Sequence, residues 1–274
     1  INLLIDTMIA SFLAEGSISW LYISDRFVEL PLALFGIATA TVILPLLSKQ
    51  HVAQQSESFS HTMNWAIRLS LVIAIPAMMG LVALASPILS SLVQYREFTP
   101  FDTEMASLSL MAYALGLPAF IFIKILAPAF FSRQDTKTPV KIGVIAMLTN
   151  IVLNLLFVWL FVHYEITGSH AGLALATSLS AYLNAALLYI MLHRQRVVTF
   201  MQSTFSLANK VFISAMIMFY ILNKFLPEVE TWASWETDMR VGSLLGFIAL
   251  GVVTYSWLLW ALGIKPSHLK LESD

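Results

Sequence analysis

Three ionisable residues, Asp25, Arg26 and Glu29, lie inside the apolar stretch ISWLYISDRFVELP, Ile18 to Pro31. The stretch is otherwise fit to cross a membrane, and a charge at the bilayer centre costs roughly 2.5–3.5 kcal/mol on insertion scales. These groups therefore require partners or a water-filled cavity. On a helix, Asp25 and Glu29 are four apart and Arg26 and Glu29 three apart, so all three can share one face turned toward a protein interior. A guanidinium on that face offers forked donors suited to phosphate or carboxylate, which makes Arg26 a candidate anion-binding group with Asp25 and Glu29 beside it. The structural alternative is an ion network of Asp6, Asp25, Arg26 and Glu29 that only locks helices together.

Depth along a helix follows from a rise of about 1.5 Å per residue. Asp6 precedes the turn Glu15-Gly16-Ser17 by nine residues and Arg26 follows it by nine, so both fall at a similar level on adjacent antiparallel helices and are expected as neighbours. Asn150 and Asn154 are four apart on one later span, and Thr177 lies at a comparable level on the next. Amide and hydroxyl oxygens with the Asp6 carboxylate suit a hard cation such as Na⁺; ordinary interhelical hydrogen bonding is the other reading of the same residues. Lys124 lies about 10 Å from the nearer end of its span, a second cation for an anionic ligand or a stem that snorkels to the interface. No HExxH, GxSxG, P-loop, cysteine pair or DxxD motif occurs, so no enzyme chemistry is expected and no cofactor is implied beyond that ion.

The elements that must hold these groups are membrane helices. Of 274 residues, 58% are hydrophobic and 11% charged, with a mean hydropathy of +0.80. Several apolar stretches reach the ~20 residues a spanning helix needs, and none alternates like a membrane barrel strand. The fold class is all-α, a multi-spanning transmembrane bundle of about eight helices, near 1–14, 17–47, 65–94, 105–131, 141–162, 170–192, 208–226 and 240–262. Pro31 and Pro45 are natural kink points, and the polar segment Lys49–Asn64 is expected outside the hydrocarbon. An acidic, Trp-containing loop separates the last two spans, and the spacing of Gly242 and Gly246 predicts close helix packing within the chain. Most tryptophans fall near span ends, as interfacial anchors would. Lys49, Arg133, Lys137, Lys141, Arg194, Arg196, Lys210, Lys265 and Lys270 occupy alternate connections and the tail, which places the C-terminus in the cytoplasm. The net charge of −1 says nothing about a nucleic-acid partner, and the few basic residues sit in short loops without forming a patch, so none is expected. Ile1 opens inside an apolar helix without a basic leader, so the chain reads as the second part of a longer one.

The series IASFLAEGSISWLYISDRFVELP, the loop FSRQDTKTPVKI at 131–142 and AGLALATSLSAYLNAALLY at 171–189 resemble the MurJ (MviN) family of lipid II flippases in the MATE-like superfamily. The resemblance implies fourteen transmembrane helices in the whole protein, of which this chain is similar to helices seven to fourteen. Residues 1–192 would be the C-terminal, six-helix lobe of the core, and 193–274 two additional helices and a cytoplasmic tail. It further implies export of lipid-linked peptidoglycan precursor across the bacterial inner membrane by alternating access, with the N-terminal half as partner and membrane lipids around it. Arg26 matches a cavity arginine of the family, Asp25 and Glu29 its acidic neighbours, and Asp6, Asn150, Asn154 and Thr177 a sodium site. Asn154 departs from that pattern where a carboxylate can occur, which weakens the expected cation affinity. The competing readings are another exporter of the superfamily, for drugs or polysaccharide-linked lipids, and an inactive membrane scaffold.

Overall fold

A computed structural model describes residues 2–198 and 202–264. Ile1 and the tail KPSHLKLESD, with Lys265 and Lys270, lie outside the described residues, so the tail expected in the cytoplasm has no structural account. In chain order the helices are α1 (Asn2–Ala10), α2 (Ser17–Pro31), a π-helical segment (Leu32–Ile37), α3 (Ala38–Val52), α4 (Ser56–Ala83), α5 (Ala85–Leu92), α6 (Pro100–Phe131), α7 (Lys137–His163), α8 (Ala171–Arg194), α9 (Gln202–Phe225), α10 (Val229–Ser234) and α11 (Thr237–Ala261). Among the described residues seven helices are long and apolar enough to cross a membrane, with α2, the π segment and α3 forming one 36-residue unit.

The first expected span is shorter than its hydropathy predicts. The helix stops at Ala10, where the Ser11 hydroxyl donates to the Met8 carbonyl at 2.7 Å and the chain tightens into i→i+3 bonds. The turn falls where Glu15-Gly16-Ser17 placed it. Gly16 has φ +96°, and a Cβ there would meet the Trp20 indole at 2.6 Å, so only glycine admits this turn. Pro31 is followed at once by the wider π turn, a common way for a helix to absorb a missing N–H. The polar segment Lys49–Asn64 is almost entirely helical, interrupted only at Ala53–Gln55, because its polarity marks the aqueous ends of two helices and not a loop. The third expected span divides at Leu84. Pro87 has no N–H to offer the Ala83 carbonyl, which accounts for the break.

The bundle is organised around α6, 61% of whose apolar window is buried against at most 39% for any other span. Its start is fixed by a capping box in which Thr99 and Asp102 satisfy each other's backbone N–H, with Pro100 in the first turn. Helix α8 packs tightly against it at Gly116, where a Cβ would lie 2.5 Å from Ser178 Oγ. That space lets the Ser178 hydroxyl donate to the Ala112 carbonyl at 2.7 Å. Helices α9 and α11 form their own apolar cluster against α4, centred on Val72, Val211, Met218 and Tyr255.

One expectation about side chains is overturned, and another has two exceptions. Among the described residues nothing lies within 4 Å of a Cβ placed at Gly242 or Gly246, and the glycine of α11 that packs is Gly251, against Leu222 and Met218. Trp20 and Trp232, each 2% exposed, are core residues whose indole N–H groups donate to Asp102 and Ser91.

Candidate functional site

Helix α2 is oriented by the stripe Trp20, Ser24 and Val28, which is buried. Ser24 donates to the Ala106 carbonyl of α6 at 2.7 Å, and the Trp20 indole donates to Asp102 at 2.8 Å. With 100° per residue, this docking turns Arg26 and Glu29 away from α6 and leaves Asp25 at the edge. Arg26 and Glu29 keep the charged face expected from spacing, and Asp25 stands at its half-buried edge.

On the outer side, Arg26 Nη1 donates to Glu29 Oε2 at 2.7 Å and Nη2 to the Tyr22 hydroxyl at 3.2 Å, while the guanidinium lies 4.8 Å from the Tyr22 ring centroid. The Arg26 and Glu29 side chains remain 58% and 50% exposed. The ion pair thus holds the guanidinium in place without sealing it. Tyr22 was not singled out from the sequence, although an aromatic one turn before an intramembrane arginine is the signal that would have found it.

On the other side, Asp25 lines a cavity of about 140 Å³ together with Asp6, Tyr22 and Tyr113. Asp6 is not paired with Arg26, contrary to the depth argument. Its carboxylate accepts from Asn154 Nδ2 at 2.6 Å, because α1 packs beside α7. Asn154 Nδ2 also approaches Asn150 Oδ1 at 3.4 Å, and Asn150 Nδ2 donates to Thr177 Oγ1 at 3.3 Å. Four residues chosen from spacing, Asp6, Asn150, Asn154 and Thr177, are thereby joined in one network across α1, α7 and α8. Both asparagines are 0% exposed, and Asn154 Oδ1 has no hydrogen-bond partner among the described residues. Lys124 joins neither set. It is exposed, and its stem lies beside Gly36 of the π segment.

At the α6–α7 turn, Arg133 Nη1 donates to Gln195 Oε1 at 2.6 Å, tying the RQDTKTP loop to the end of α8. Hydrogen bonds from the side chain and backbone of Thr138 hold the Asp135 carboxyl below the usual carboxylate range. Arg240, also missed from the sequence, donates to the backbone carbonyls of Trp235, Ser90 and Ala233 and fastens the start of α11 to the ends of α5 and α10.

Long apolar helices around α6, with carboxylates, buried amides and a guanidinium held within their length, define a polytopic α-helical membrane protein with an ionisable interior. The family model described as lipid II flippase MurJ matches residues 1–238. The chain belongs to this family, one of transporters and not of catalytic enzymes. It is 49% identical over 274 residues to the probable lipid II flippase MurJ of Vibrio cholerae, covering 100% of this chain and 51% of that protein. It is 31% identical over 276 residues to lipid II flippase MurJ of Burkholderia cenocepacia, covering 98% and 51%. A solved structure titled lipid II flippase MurJ, inward closed conformation, superposes with a TM-score of 0.76 at 28% identity, over 94% of this chain and 50% of that one. The chain spans about half the length of the curated relatives it matches.

Proposed function

We propose that this chain forms one wall of a flippase cavity that carries lipid II, the prenyl-diphosphate-linked peptidoglycan precursor, across the bacterial inner membrane. The observation that carries the reading is Arg26. A guanidinium within a membrane helix faces away from its own bundle, more than half exposed and steadied by Glu29 and Tyr22. A cation so placed is suited to a diphosphate arriving from the side opposite α6. Glu29 keeps the charge compensated until the headgroup competes for the same donors, and the prenyl tail stays in lipid. The other wall belongs to the N-terminal half of the full-length protein, and rocking of the two halves exposes the cavity outward. In this reading residues 1–192 are the core lobe and 193–274 the additional helices. The C-terminus is cytoplasmic, Asp25 and Lys124 contribute to the cavity's field, and the protein transports without catalysing a chemical change.

Asp6, Asn150, Asn154 and Thr177 are our candidate Na⁺ ligands. Their oxygens are of the hard type such an ion takes, and the unpartnered Asn154 Oδ1 is the kind of buried acceptor a cation satisfies. Rotation of the Asn154 amide would turn that oxygen toward Asp6.

The deciding experiment is complementation of a flippase-depleted strain by the full-length protein. Arg26→Ala at wild-type membrane abundance should fail to restore growth and should accumulate lipid II in the inner leaflet. Normal growth on that variant would remove the basis of the proposal.

A further inference from the structure

Arg68 sits on α4 one turn inward from Trp65, in the apolar part of the span. It makes no ion pair among the described residues, and its Nε is buried without a hydrogen-bond partner. A cation in that state is a site in search of an anion unless it merely snorkels to water. Beside it runs an apolar groove of about 530 Å³ between α4, α6, α8 and α9, lined by residues that include Leu71, Phe122 and Phe212. This is within the ~300–1,000 Å³ range of ligand pockets. Phe205 and Phe212, 58% and 49% exposed, form part of its wall, so the groove opens on the outside of the bundle, where lipid is the solvent.

The groove is polar only in places, and two of its polar residues lie close to Arg68 along the helices. Asn64 is one helical turn before Arg68 and Leu71 three residues after it, so Arg68 borders the groove-lining stripe of α4. Asn64 makes one long contact, 3.5 Å to Ser60 Oγ. Thr204, near the start of α9, has a buried Oγ1 with no partner among the described residues. Thr204 lines the groove from the start of α9, across from Asn64 on α4. Two groups able to donate, Asn64 and Thr204, thus line an apolar slot that Arg68 borders, and no carboxylate lines it.

We propose that this groove binds an anionic phospholipid of the surrounding bilayer. One acyl chain lies against Leu71, Phe122 and Phe212, and the phosphate accepts hydrogen bonds from Arg68, Asn64 and Thr204. The charge, beside a groove that opens on lipid, selects a lipid phosphate over a soluble anion. The site lies apart from Arg26 and does not rest on the lipid II reading.

Native mass spectrometry of the full chain in detergent tests it, with phosphatidylglycerol and phosphatidylcholine of identical chains as probes. The wild type should retain one phosphatidylglycerol about tenfold more tightly than phosphatidylcholine, the scale of one charge-assisted contact. Arg68→Gln should bring phosphatidylglycerol down to the phosphatidylcholine level, Arg68→Lys should keep part of the preference, and Ala208→Phe, which fills the groove, should weaken both lipids alike. Equal retention of the two lipids by the wild type would overturn the proposal even if no variant folds. Unchanged selectivity in Arg68→Gln, or displacement by glycerophosphate at the same concentration as lipid, would do so too.

Discussion

Replacing Asn154 by Asp tests the buried network most directly. The substitution puts a carboxylate oxygen where an amide nitrogen now lies 2.6 Å from Asp6 Oδ1. Two unit charges at that separation repel by about 6 kcal/mol at an effective dielectric of about 20. Uptake of a proton by the pair limits the cost to about 4 kcal/mol at pH 7, the work of protonating an ordinary aspartate there. A cation held between the two carboxylates would remove most of it. In choline chloride the variant should therefore melt roughly 8–16 °C below the parent, at about 2–4 °C per kcal/mol for a chain of this size. In saturating sodium chloride it should recover most of that loss. Asn154→Ala is the control. It removes a charge-assisted bond, about 1.5–3 kcal/mol, and its melting temperature should ignore the choice of salt. Thermal unfolding in detergent, followed by tryptophan fluorescence in matched choline and sodium series, gives the comparison. Equal melting of Asn154→Asp in both salts would refute the cation assignment, and melting at the parent temperature in choline would refute the network geometry itself.

Gly116→Ala places a methyl 2.5 Å from Ser178 Oγ and should destabilise by about 1–3 kcal/mol. Adding Ser178→Ala removes the clashing oxygen and should return at least half of that in a double-mutant cycle; strict additivity of the two losses would show that α6 and α8 do not meet there. Asp135→Ala removes the acceptor for the Thr138 N–H at 3.0 Å and should cost about 1 kcal/mol at pH 7, the usual worth of a helix cap. Because the folded-state carboxyl is held below its unfolded value, this contribution is present above about pH 4 and lost as pH falls through the folded value. Melting curves of the two proteins should therefore converge toward pH 2–3, and a gap independent of pH would contradict the capping role.

Composition and hydropathy by themselves determine that this is an all-α membrane protein and where most spans fall, because ~20 apolar residues in water have few alternatives. The turn at Gly16 was legible for the same kind of local reason, a residue type that the backbone demands. The four residues of the Asp6–Asn154 network were also accessible, since spacing by four aligns Asn150 and Asn154 on any helix. Hydropathy reports the solvent and not the neighbour, and the errors follow from that. It cannot tell the polar end of a helix from a loop, so it leaves the helical state of Lys49–Asn64 open, and it cannot tell a lipid-facing tryptophan from the buried Trp20 and Trp232. Nor does it distinguish Gly242 and Gly246, which face open space, from Gly116 and Gly251, which meet another helix. Only the tertiary structure decides the rotation of α2. Ser24 and Trp20 bond to α6, and that docking leaves Arg26 and Glu29 exposed and Asp25 lining a cavity with Asp6. A helix allows every rotation about its own axis, and the choice belongs to the surface it packs against.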